Sequence, residues 1–163
     1  MNKVNKIHTV SNGDDAEFMH TPSENLLASI HMLSNRIGRA FFSQVVSRHG
    51  LTLAEWRVIL TLRQYPGMTA TGITGQWAME KMAINRAIRH LLRTRRVKRR
   101  PDSRDRRRFS LYLTANGKRL YDKVIPDANR RYREIVACLS KTELTALRRV
   151  MDKLSRHTLQ LTD

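Results

Sequence analysis

Apolar residues recur along this chain at helical spacing almost from end to end. Thr21-Pro22-Ser23-Glu24 reads as a helix start, with Thr as cap, Pro at the first helical position and Glu closing a capping box. Leu26, Leu27, Ile30, Leu33, Ile37, Phe41 and Val45 then form one stripe, which predicts a helix to about Arg48 that Gly50 ends. Thr52 to Glu55 is a second capping box, opening a helix through Trp56, Ile59, Leu60 and Leu62 that Pro66-Gly67 stops. Thr69 is placed to cap a short helix from Ala70 to Trp77, although Gly72 and Gly75 each weaken it by about 1 kcal/mol relative to Ala.

After a tight turn at Ala78-Met79, Ile84, Ala87, Ile88 and Leu91 mark the buried side of a helix running from about Glu80 to Arg95. Two short strand-like runs follow, Val97–Arg100 and Phe109–Leu113, around the charged loop Pro101–Arg108. Phe109, Leu111 and Leu113 alternate, the period of a half-buried strand. Thr114-Ala-Asn-Gly117 starts another helix, on which Pro126 should impose a kink. Ser140 to Glu143 is a third capping box and launches the last helix, with Leu144, Leu147, Val150, Met151, Leu154 and Leu161 on one stripe.

The expected class is therefore mainly α with a small β-hairpin: a helix-turn-helix followed by a wing, plus a helical dimerisation region. The expected organisation is an N-terminal arm over residues 1–20, a first dimerisation helix over 21–50, a winged helix-turn-helix over 51–116 and C-terminal dimerisation helices over 117–163. The terminal helices carry long apolar stripes with no sheet to cover them, so they should pack on one another and on a second copy.

Charge gives this scaffold a partner. The 163 residues hold 31 Lys and Arg against 14 Asp and Glu, a formal net charge of +17. Of the basic residues, 13 lie between Lys81 and Arg108, so the charge is clustered on the second helix of the pair and the hairpin. Such clustering points to a polyanion, because cationic side chains gain from releasing condensed counterions. Duplex nucleic acid fits it better than an anionic membrane, and no apolar run approaches the roughly 20 residues of a span.

The apolar core of a signal peptide is missing at the N-terminus, and the single cysteine, Cys138, has no partner for a disulfide. Both fit a cytoplasmic, nucleoid-associated protein. The six histidines are scattered, no metal-ligand spacing occurs, and no phosphate-binding loop, nucleophile elbow or zinc-protease motif is present. An enzyme is not expected, nor is a cofactor or metal.

On the basic helix, Lys81, Arg86 and Arg89 are the candidates for the major groove, with Asn85 able to read an adenine edge by two hydrogen bonds. The plainer reading of the same face is simple solvation. Arg93, Arg95 and Arg96 are placed to meet phosphates, which position a protein without specifying sequence. Arg104, Arg106 and Arg107 belong to the wing, where Arg106 or Arg107 could enter a narrow A·T-rich minor groove. Thr69 and Thr71 could touch phosphate, with capping alone as the other role for Thr69.

Leu51-Thr-Leu-Ala-Glu-Trp-Arg-Val-Ile-Leu60 with Pro66-Gly-Met-Thr69, and Arg99-Arg-Pro-Asp-Ser-Arg-Asp-Arg-Arg107 continuing through Leu111-Tyr-Leu-Thr-Ala-Asn-Gly117, closely resemble the multiple-antibiotic-resistance regulator (MarR) family. The resemblance spans roughly Glu24 to Leu161. It implies a homodimeric winged helix-turn-helix regulator of a pseudo-palindromic operator, most often a repressor released by a small phenolic or aromatic-carboxylate effector. It implies that Asp105 steadies the wing by pairing with an Arg, Arg107 being the candidate. It also implies an effector pocket near the first two helices, where His31, Asn35, Arg39, Trp56 and Arg57 are the polar and aromatic candidates. There Arg39 would hold a carboxylate and Trp56 would stack on a ring; the plainer reading makes Trp56 core and Arg39 surface.

The chain departs from the family pattern in three places. Lys81-Met-Ala-Ile-Asn-Arg86 stands where relatives carry a hydroxyl-rich run, so operator sequence does not transfer. Arg95-Arg96 stands where the helix normally ends in Gly and an apolar residue, and a left-handed cap without Gly costs on the order of 1 kcal/mol. Gly72 and Gly75 replace better helix formers. Peroxide-sensing relatives carry a reactive Cys in the first helix; Cys138 lies elsewhere and reads as structural. Two other functions stay open: an architectural or counter-silencing A·T-preferring DNA binder without a small-molecule switch, and a helical sensory or interaction module.

Overall fold

The computed structural model describes residues 25–41, 45–101 and 109–161 and divides the chain into two compact units, residues 1–36 and 37–163. Helix α1 spans Leu26–Phe41. The side-chain oxygen of Asn25 accepts hydrogen bonds from the backbone N–H groups of Leu27 and Ala28, so Asn25 caps this helix; the capping box expected at Thr21 to Glu24 lies outside the described residues. In the first unit Leu26, Leu27 and Leu33 of α1 are exposed.

The second unit contains the folded core. Helix α1 is described to Phe41; beyond residues 42–44, which lie outside the described residues, Val46 is again in the right-handed helical region and Ser47–His49 forms a 3-10 turn, so the described backbone on both sides is helical up to the end expected near Arg48. Val45 and Val46 are both buried there. Gly50 closes the turn in the left-handed region at φ 63°, as its position predicted. Helix α2 (Leu53–Gln64) opens with the expected reciprocal capping box between Thr52 and Glu55. Helix α3 (Ala70–Trp77) is capped by the Thr69 hydroxyl, which accepts from the Gly72 N–H at 3.2 Å.

Helix α4 (Lys81–Arg93) buries Ile84, Ala87, Ile88 and Leu91, the stripe read from the sequence. Strands β1 (Val97–Pro101) and β2 (Phe109–Leu113) pair antiparallel, with Val97 opposite Leu113 and Arg99 opposite Leu111. A third backbone partner was not legible in the pattern. The Gly67 N–H donates to the Leu111 carbonyl and the Leu111 N–H donates to the Met68 carbonyl, so the turn after α2 flanks β2. Phe109, expected on the half-buried face, is 41% exposed because it lies at the far end of the strand.

Helix α5 (Ala115–Val136) keeps Pro126 inside a continuous span, and Ser140 with Glu143 caps α6 (Lys141–Gln160) by the expected reciprocal box. Cys138 is exposed, its Sγ donating to the Ile135 carbonyl, so it does no packing in the core.

The core joins α2, α3, α4, the hairpin and α5: Trp56, Ile59 and Leu62 meet Ile73, Ile84, Leu91, Val97, Leu111 and Val124. Each fully buried aliphatic side chain contributes roughly 1.5–3 kcal/mol of transfer free energy. Polar contacts set the angles between helices. Trp77 Nε1 donates to Thr61 Oγ1, which donates in turn to the Arg57 carbonyl, tying α3 to α2 through a satisfied buried hydroxyl. The buried Glu55 both completes the α2 cap and pairs with His90 of α4.

Candidate nucleic-acid interface

Helices α3 and α4 meet at a turn whose geometry is unusual for its residues. Ala78 sits in the left-handed region at φ 46°, ending α3 with its N–H directed at the Gly75 carbonyl. Met79 N–H then donates to the Thr74 carbonyl, and α4 begins two residues later. Because one side of α4 is spent on Ile84, Ala87, Ile88 and Leu91, its other positions must face solvent. Lys81, Met82, Arg86, Arg89 and Arg93 are exposed, and Asn85 is half-buried.

A groove of about 570 Å³ runs between α3, α4 and the hairpin. Thr69, Thr71, Asn85, Arg89, Arg99 and Phe109 contribute to its walls, so four of the sequence candidates share one surface. Arg99 was not among the candidates; its guanidinium lies 4.7 Å from the Phe109 ring centroid. Strand alternation could have found it, because Arg99 shares a face with Leu111 directly across the hairpin. Lys81 and Asn85 also border a small recess with Thr71 and Thr74. Arg86 lines neither cavity and is exposed on α4.

The end of α4 follows the expected left-handed cap. Arg95 adopts φ 53°, its N–H donating to the Leu92 carbonyl while the Arg96 N–H donates to that of Leu91. This pair of bonds is a Schellman arrangement made without glycine. Arg93 and Arg95 are exposed. Arg96, expected at a phosphate, is half-buried, and its Nη1 is sealed from solvent with no hydrogen-bond partner among the described residues. Arg104, Asp105, Arg106 and Arg107, with the expected Asp105–Arg107 pairing, lie outside the described residues.

The effector candidates are dispersed by environment. His31 and Asn35 are exposed in the first unit, and Arg39 is exposed in the second. Trp56, expected to stack on an effector, is 2% exposed and stacks instead on Tyr121 at 5.8 Å between ring centroids. Arg57 lies over the Trp77 ring and directs a guanidinium N–H at the Met79 sulfur; burial pushes its pKa down. Among the described residues no cluster could hold a metal ion, and no helix is long and apolar enough to cross a membrane.

A capped three-helix core with a two-stranded hairpin after its third helix defines a winged helix-turn-helix protein. Residues 49–108 match the MarR family model. The homoprotocatechuate degradative operon repressor of Escherichia coli is 23% identical over 114 residues, covering 70% of this chain and 77% of that protein. Among solved structures, a MarR/EmrR family transcriptional regulator from Acinetobacter sp. ADP1 superposes with a TM-score of 0.74 at 22% identity, over 86% of this chain and 99% of that one. BpsR of Bordetella bronchiseptica, whose DNA binding is regulated by 6-hydroxynicotinic acid, superposes with a TM-score of 0.69 at 20% identity, over 78% of this chain and 96% of that one. The winged helix of this chain is thus similar in sequence and fold to those of MarR-family transcriptional regulators.

Proposed function

We propose that the chain is a dimeric, sequence-specific double-stranded DNA-binding transcriptional regulator, a repressor that a phenolic or aromatic-carboxylate effector releases. The observation that carries this reading is the exposed cationic side of α4, with Lys81, Arg86, Arg89 and Arg93, beside a hairpin whose Arg99 faces the same groove. Helix α4 enters the major groove, Arg86 and Arg89 read base edges, and Arg93 and Arg95 meet phosphates. Residues 51–116 form the DNA-binding part; residues 21–50 and 117–163 form the dimer. Exposed apolar residues support the dimer: Leu26, Leu27 and Leu33 on α1, and Leu147, Val150 and Met151 on α6. Two such winged helices related by a twofold axis read half-sites about one helical turn apart.

The effector rests on the relatives: one carries the name of an aromatic-catabolic operon repressor, and another is regulated by an aromatic acid. Arg39, exposed on α1, is the cation offered to the carboxylate. The test is a mobility shift on genomic fragments, followed by footprinting. Arg86→Glu abolishes the specific shift while leaving the fold intact; unchanged specific affinity overturns the assignment of α4. A ratio of specific to non-specific affinity near unity favours the architectural reading.

A further inference from the structure

The hairpin has a second basic face that the DNA-binding reading leaves unused. Lys98 and Arg100 alternate with Arg99 along β1, and Lys98 lies directly across from Tyr112. Arg99 shares its face with Leu111 and lines the groove against α4. Lys98, Arg100 and Tyr112 therefore point to the opposite side, away from the recognition helix. There, with Arg63 from the end of α2 and Lys118 from the first turn of α5, they line a recess of about 240 Å³.

Four cations converge on this recess from three elements, and none of its lining residues is an acid. Nor does any of the four pair with a carboxylate of the described residues. Two are held in place by rings: the Arg100 guanidinium lies 5.6 Å from the Tyr112 centroid and that of Arg63 lies 5.4 Å from the Tyr121 centroid. Stacking fixes a guanidinium plane while leaving its edge N–H groups free to donate. Like charges crowded into one recess repel, and an occupant carrying two or more negative charges removes that repulsion. The volume lies below the roughly 300–1,000 Å³ of pockets for drug-sized ligands, which favours a compact anion over an aromatic effector.

We propose that the recess formed by Arg63, Lys98, Arg100, Tyr112 and Lys118 is a phosphate-binding site. Its ligand is a phosphate or diphosphate group, supplied either by a free phosphorylated small molecule or by the backbone of the bound duplex. Arg63 and Arg100 donate from their planar edges, and Lys98 and Lys118 supply point charge.

Calorimetry with inorganic pyrophosphate on the full chain tests the site at low salt. The wild type takes up pyrophosphate saturably, one per chain. A double variant, Lys98→Gln with Arg100→Gln, binds about tenfold more weakly or worse, the effect of losing charge-assisted hydrogen bonds. A variant with the same loss of charge on α6, Arg148→Gln with Arg149→Gln, binds as the wild type does. No saturable binding by the wild type, or equal weakening in both double variants, overturns the proposal. Should the first double variant lose its thermal transition, the single variants Lys98→Gln and Arg100→Gln give the same reading. The salt dependence of DNA affinity then assigns the source. A slope shallower by about 0.9 per lost phosphate contact in the Lys98/Arg100 variant, with pyrophosphate competing, identifies duplex phosphate; an unchanged slope identifies a free ligand.

Discussion

The carbonyl oxygen of Arg96 stands so close over Gly117 that no β-carbon fits between them. The Thr114 hydroxyl donates to the Arg95 and Arg96 carbonyls, and the Thr114 N–H donates to that of Arg96, drawing the end of α4 onto the start of α5. The same hydroxyl accepts from the Gly117 N–H, capping α5. The obstruction is backbone, so it cannot swing aside as a side chain would. Gly117→Ala should destabilise the fold by about 1–3 kcal/mol, read as a lower urea midpoint at unchanged slope.

Gly75 gives the opposite sign. A β-carbon there meets nothing within 4 Å, and the residue lies inside α3 with ordinary helical backbone. Gly75→Ala should raise stability by roughly 0.4–1 kcal/mol, chiefly by narrowing the unfolded ensemble. Thermal unfolding that shows no gain would mean α3 is held in some other way.

At Arg95 stability and binding should separate. Its φ of 53° is a conformation that glycine adopts freely. Arg95→Gly should stabilise the protein by about 0.5–1 kcal/mol. The same change should weaken DNA affinity uniformly across sequences and flatten its salt slope by about 0.9 if Arg95 neutralises one phosphate. Denaturation and binding titrations on one preparation check both signs.

Glu55 carries two duties, so its variants should fall in order. Glu55→Ala removes the cap on Thr52 N–H and the partner of His90, at a cost of about 2–3 kcal/mol. Glu55→Gln retains an acceptor for the cap while losing the charge toward His90, and should cost about half as much. Equal losses in urea unfolding would show that the cap carries nothing.

Acid should uncouple α5 from the turn before α2. The hydrogen bond with His49 at 3.2 Å, aided by Arg130, holds the Asp127 carboxyl below the ordinary aspartate value. A depressed carboxyl contributes stability that is complete above its unfolded value, 3.8, and is lost as pH falls through the lowered folded value. Asp127→Asn should therefore lower Tm near neutrality, with the gap to wild type closing below about pH 4. Melting curves between roughly pH 2.5 and 7 decide it; a gap independent of pH would remove Asp127 from the account.

Much of this architecture was legible because short-range chemistry dictated it. The capping boxes at Thr52 and Ser140, the α4 stripe and the left-handed cap at Arg95 all follow from interactions within four or five residues. What the pattern missed depends on distant partners. Trp56 stood as a ligand platform beside its plainer reading as core, and Tyr121, 65 positions away, occupies its face. Charge patterning does not report that Arg96, unlike Arg93 and Arg95, is half-buried with its Nη1 sealed from solvent. On the groove, the structure brings together the candidates Thr69, Thr71, Asn85 and Arg89 with Arg99, which was not among them and whose placement follows from strand pairing.

The backbone bonds from Gly67 and Met68 to Leu111 have a consequence for how the protein behaves in a crowded solution. A two-stranded hairpin ordinarily offers two open edges on which a stray chain can extend the sheet. Here the outer side of β2 is already occupied at its middle by the chain's own turn. The remaining edge is β1, a run of Lys98, Arg99 and Arg100 ending in Pro101. Repelling charge and a residue that cannot donate to a ladder both discourage strand addition. The cations that suit the hairpin to a polyanion thus also guard it against templating aggregation.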